Sequence, residues 1–124
     1  MARVLKQADA KRLGLPGRVS LQPVSGEIGS KVSFRIAQIA VPQPGDKTRG
    51  PHVHHEFEEC IYVLSGQGTM HAESGEHPVR PSDILLVPAG EKHMTVNTGS
   101  EPLLLLCFFP VPDVSAGTTE YQTF

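Results

Sequence analysis

Apolar and β-branched residues come in short bursts along this chain, each cut off by glycine, proline or a small polar cluster. Segments 32–41, 60–64, 68–73, 84–87, 93–97 and 103–109 are rich in Val, Ile, Leu, Thr and Phe, the composition that suits extended, half-buried backbone. Turn chemistry separates them at 42–45, 65–68, 74–76, 81–83, 88–90 and 98–102, so the pattern predicts an all-β protein of short strands. Segments 84–87 and 103–109 are apolar at successive positions, which predicts cover on both of their faces and a two-sheet barrel or sandwich. Only the first dozen residues have helical spacing, with Val4, Leu5 and Ala8 on one side, and that segment is short for an independent helix. The stretch 113–124 reads as a polar tail that packs through Tyr121 and Phe124.

Length and composition narrow the function classes. The 124 residues fit one domain, 1–124, within the usual domain range of about 100 to 150. Eleven Lys and Arg against 13 Asp and Glu give a formal charge of -2, so no basic surface is expected for nucleic acid. The longest apolar run, 103–109, is far shorter than the roughly 20 residues that span a bilayer. Charges at Arg3, Lys6, Asp9, Lys11 and Arg12 interrupt the N-terminus, so no signal peptide is expected and a cytoplasmic location is predicted. Cys60 and Cys107 lack C-x-x-C spacing and are expected to be free thiols.

The chemistry lies in two histidine clusters. His52, His54 and His55 sit within the run PHVHHEFEE, and His93 follows the turn PAGEK. If 52–54 is extended, His52 and His54 share one face with Cα atoms roughly 6.5 Å apart, close enough for both imidazoles to reach one ion. A lone H-x-H is more often a polar loop that titrates, and a lone His93 would be structural. Together the clusters carry more weight.

The two clusters resemble the motifs of the cupin superfamily, G(x)5HxH(x)3-4E(x)6G and G(x)5PxG(x)2H(x)3N. His52, His54, Glu59 and Gly66 fill the first, and Pro88, Gly90, His93 and Asn97 fill the second. The opening glycines are replaced by Asp46 and Ser82; both are turn positions, where short polar side chains can hydrogen-bond the backbone. The resemblance covers about 32–109 and implies a double-stranded β-helix, the jelly-roll barrel. It also implies His52, His54, Glu59 and His93 as ligands of a divalent transition metal: Mn, Fe, Ni, Co, Cu or Zn.

Glu56 and Glu58 compete with Glu59 for the ligand role, because on one uninterrupted strand they share the parity of His52 and His54. A turn over 55–58 would restart the alternation, and the step from Glu59 to Gly66 fits the motif. Glu59 is therefore the predicted ligand and Glu58 the candidate catalytic base. Alternation from Glu59 turns Ile61 and Val63 inward and Cys60, Tyr62 and Leu64 outward; alternation from His93 turns Thr95 and Asn97 inward, with Asn97 supporting a turn or barrel end. Arg35, Gln38 and Met70 are further candidates for the pocket wall. An outward face containing Cys60, Tyr62 and Leu64 is too apolar for water and predicts a homodimer.

The resemblance implies a small-molecule substrate or ligand. The enzyme reading, of dioxygenase, isomerase, lyase or decarboxylase type, is favoured. The alternative is a non-catalytic module that binds or senses a sugar or organic acid, and the residues alone do not choose between them.

Overall fold

The computed structural model describes residues 1–47 and 49–124. Eleven strands follow one another as β1 (Lys11–Leu13), β2 (Val19–Val24), β3 (Ser33–Ile39), β4 (His52–His54), β5 (Glu59–Ser65), β6 (Gly68–Ala72), β7 (Gly75–Val79), β8 (Ile84–Val87), β9 (His93–Asn97), β10 (Leu103–Phe109) and β11 (Thr118–Glu120). They form a six-stranded sheet, β1-β2-β3-β10-β5-β8, and a five-stranded sheet, β11-β4-β9-β6-β7. Neighbouring strands pair antiparallel throughout. This is the expected jelly roll. No helix among the described residues is long and apolar enough to cross a membrane.

The period-2 rule builds the interior. In β5, Glu59, Ile61 and Val63 are buried while Cys60, Tyr62 and Leu64 face out. In β10, Leu103, Leu105, Cys107 and Phe109 point inward, and they join Ile61, Val63, Met70, Val79 and Val87 in one core cluster. Leu103 is fully buried, and its side chain alone contributes about 1.5–3 kcal/mol of transfer free energy.

Two turn positions explain parts of the motif. Gly66 has φ 86°, and a Cβ there would meet the carbonyl oxygen of Pro102 at 2.5 Å, so backbone conformation and space both require glycine. Ser82 stands where the motif has glycine and also adopts positive φ, 73°. Its backbone N–H donates to Val63 O at 2.8 Å, and the Asp83 carboxylate accepts from Arg80 N at 2.8 Å. These bonds hold a turn that a non-glycine residue enters at a cost of about 1–2 kcal/mol.

Several expectations are corrected. The N-terminal segment is not an α-helix: one 3-10 turn, Gln7–Asp9, leads into β1, where Lys11 to Leu13 pair with Gln22 to Ser20. A sheet edge offers more hydrogen bonds than an isolated short helix can keep. The tail is not merely polar cover, because Val114 is buried and β11 pairs with β4. Tyr121 and Phe124 are both exposed, and Tyr121 takes the Lys92 ammonium over its ring at 4.4 Å. The apolar runs are not covered on both faces. Ile84, Leu86 and Phe108 are 66, 65 and 47% exposed, because the described residues supply no third layer over the six-stranded sheet.

Candidate metal centre

β4 lies between β9 and β11, and His52 is paired directly with His93. This register places His52, His54 and His93 together on the five-stranded sheet, with ring centroids 4.3 Å (52 to 93), 5.0 Å (52 to 54) and 5.3 Å (54 to 93) apart. The chain then bends at His55 and Glu56 and buries Phe57, which stacks on His54 at 5.1 Å. β5 starts at Glu59 on the opposite sheet, and Glu59 Oε1 reaches across to His54 Nε2 (3.1 Å) and His93 Nε2 (3.3 Å).

Potential ligand atoms of His52, His54, Glu59 and His93 all lie within 4.8 Å of one another. Donors about 2.1 Å from one ion stand about 3.0 Å apart in an octahedron and about 3.4 Å apart in a tetrahedron. The Glu59 contacts match that spacing.

The hydrogen bonds behind the rings set the tautomers. His93 Nδ1 donates to Glu91 O at 2.9 Å. Thr118 Oγ1 donates to Val114 O at 2.6 Å, so it accepts from His54 Nδ1 at 2.8 Å. In the neutral rings, both Nε2 atoms therefore aim unprotonated lone pairs at a carboxylate. His52 Nδ1 is buried with no hydrogen-bond partner. Lone pairs converging on an anion need a cation, and the residues present fit a divalent metal.

The ionisation states agree. Burial pushes His52 down to about 2, so it stays neutral and can donate a lone pair. Burial alone would raise the Glu59 carboxyl, but a proton on Nε2 of His54 or His93 turns the ring into a donor to the carboxylate, which outweighs burial and holds Glu59 well below the usual carboxylate range. Burial raises the Cys107 thiol well above its ordinary value, and nearby Glu59 adds to this. Cys107 thus remains a neutral thiol rather than a thiolate ligand.

Thr118→Val should keep the packing volume but leave His54 Nδ1 without its acceptor. Metal affinity is expected to fall about 10- to 100-fold, and Thr118→Ser should restore most of it in a competitive metal titration.

The structure does not bring Glu58 to this group. Phe57 and Glu59 point inward, so alternation turns Glu58 out, and it is exposed. Gln38 is likewise exposed, and Met70 sits in the core rather than at the cavity. Arg35 does line the cavity, which measures about 170 Å³. Asn97 braces the barrel end as expected, donating to Ile39 O (2.9 Å) and Glu101 O (2.8 Å) and accepting from Gly99 N. Arg18, Arg49, Thr118 and Glu120 also line the cavity and were not singled out from the sequence. Arg18 reaches Glu120 at 3.3 Å, and Arg49 donates to Thr95 O. Burial lowers Arg49 to about 10 and also lowers Arg35, so both remain charged at neutral pH.

The cupin-domain model matches residues 38–109, and the chain belongs to the cupin family. An oxalate-binding protein from Thermotoga maritima is 33% identical over 71 residues, 57% of this chain and 57% of that protein. A glucose-6-phosphate isomerase from Thermococcus gammatolerans is 34% identical over 64 residues, 48% of this chain and 34% of that protein. The match thus spans less than two thirds of either curated relative. Among solved structures, one described as a predicted oxalate decarboxylase from Thermotoga maritima superposes with TM-score 0.71 at 22% identity. It covers 88% of this chain and 99% of that one, and at that identity it speaks for the fold.

Proposed function

We propose that this chain, as one cupin domain, holds a divalent metal on His52, His54, Glu59 and His93 and uses it to bind a small organic carboxylate. The observation that carries this reading is the charge of the cavity. Three arginines line a space of about 170 Å³, and among the described residues Glu120 is the only carboxylate on its wall besides Glu59. Ordinary ligand pockets run from about 300 Å³ upward, so this one suits an acid of a few carbons better than a sugar phosphate. The oxalate-binding relative points the same way.

A bound metal supplies a Lewis acid that polarises the carboxylate oxygens. The chain's own contribution is to orient the anion with guanidinium groups and to exclude water with Ile61, Leu105 and Phe109. Turnover would be of lyase or decarboxylase type. Capture without turnover is a second reading, favoured by Glu120 being paired to Arg18, which leaves no free carboxylate base on the wall among the described residues. Calorimetry should find oxalate binding to metal-loaded protein and not to chelator-stripped protein, with glucose 6-phosphate silent in both. Metal-independent oxalate binding would overturn the reading, as would glucose 6-phosphate binding with equal affinity.

The same proposal includes a homodimer in the cytoplasm. Tyr62, Leu64, Ile84, Leu86 and Phe108 form an exposed apolar outer face on β5, β8 and β10, which a second copy would cover. Light scattering should report a dimer at micromolar concentration and a monomer for Leu86→Glu; a monomeric wild type would refute pairing.

A further inference from the structure

We infer that the Arg35 guanidinium is a second anion subsite, so that the ligand is a small dicarboxylate held at one end by the metal and at the other by Arg35. This rests on the metal-dependent carboxylate reading above and adds the identity of the ligand's far end.

Arg35 projects inward from the middle of β3 and is only 7% exposed. Its side chain is fixed before any ligand arrives. Nε donates to Gln22 Oε1 at 2.9 Å, Nη2 donates to Ser115 Oγ at 3.4 Å, and the guanidinium lies over the Phe109 ring at 5.4 Å from the centroid. All three partners are neutral. Phe109 in turn packs edge-on against His54 at 5.2 Å, so the guanidinium and the metal cluster share one ring as a common wall. Nη1 makes no hydrogen bond among the described residues and is not among the walled-off unpaired atoms, which leaves it open to the cavity.

Among the described residues no cavity carboxylate forms a hydrogen bond or ion pair with Arg35. Glu120 is taken by Arg18 at 3.3 Å, and Glu59 is engaged with His54 and His93. A divalent ion on Glu59 leaves one net positive charge, to which Arg35 and Arg49 add two more. A monocarboxylate would leave two of the three uncompensated, whereas a dianion leaves one. A buried guanidinium without an anionic partner is costly, and its open Nη1 can donate a charge-assisted hydrogen bond to a carboxylate. Because the fold has already ordered it, binding there avoids much of the usual side-chain entropy loss.

The test needs no variant at first. Calorimetry on the metal-loaded chain should show succinate binding at least about tenfold more tightly than its monomethyl ester, which removes one charge and adds only a methyl group. Arg35→Gln should then weaken succinate and malonate at least about tenfold and leave propionate within about twofold. Arg35→Lys, which keeps the charge, should recover part of the preference. Equal affinity for diacid and monoester overturns the subsite and leaves the carboxylate reading standing. Equal losses for succinate and propionate in Arg35→Gln would show a merely structural arginine and also overturn it. If no acid binds the metal-loaded protein, both readings fall.

Discussion

Exchanging Glu59 for Gln is expected to weaken divalent-metal binding by at least about tenfold, and Glu58→Gln to leave it within about twofold. The carboxamide keeps the shape and burial of Glu59 but removes the only anionic donor in the cluster. It also places an amide beside His54 Nε2 and His93 Nε2, the two atoms now at 3.1 and 3.3 Å from Oε1. Loss of supporting hydrogen bonds alone typically costs 10- to 100-fold in affinity, so loss of a charged ligand should cost no less. Glu58 is exposed one residue away, and its charge is screened by water. A metal titration in which Glu58→Gln is the weaker binder would overturn the ligand assignment.

That ranking was readable before any coordinates because a single bend decides it. His52 and His54 share parity with Glu56 and Glu58, so a straight strand would have favoured one of those two as the ligand. The bend at His55 and Glu56 and the burial of Phe57 restart the alternation at Glu59. Gly66 and Ser82 were legible for a related reason, since a residue at positive φ leaves a mark in the motif even where serine replaces glycine.

What was not legible depends on partners distant in sequence. Thr118 orients His54 across 64 residues, and Arg18 meets Glu120 across 102. No periodicity encodes either contact. β2 was missed because Gln22 and Pro23 interrupt its alternation, and the pairing with β3 shifts register between Leu21 and Val24. β7 carries Pro78 and lies at the edge of its sheet, where a missing N–H costs no ladder bond. The apolar runs 84–87 and 103–109 were read as covered on both faces because hydrophobicity reports where water is disfavoured without saying what displaces it. Among the described residues nothing displaces water from Ile84, Leu86 and Phe108, which stay exposed.

Acidification should release the metal, and the ionisation of His93 sets the window. Burial alone would lower His93, but the hydrogen bond and charge of Glu59 and the carbonyl of Glu91 raise it above its ordinary 6.5. In the metal-free chain, a histidine with a raised folded pKa adds stability below about 6.5, and that contribution fades as pH rises through the raised value. The metal-bound chain behaves in the opposite sense, because Nε2 must be free of its proton to act as a ligand. His52, held down to about 2, does not compete, and Glu59 stays ionised. With at least one proton displaced at His93, metal affinity should fall about tenfold per pH unit below its pKa, removing about 1.4 kcal/mol of metal-linked stability each time. At fixed free metal, the gap in Tm between metal-loaded and chelator-treated protein should narrow from about pH 7.5 to about pH 5.5 and close near pH 4.5. A gap that stays constant over this range would show that no histidine proton competes with the ion, and the three-imidazole centre would be wrong.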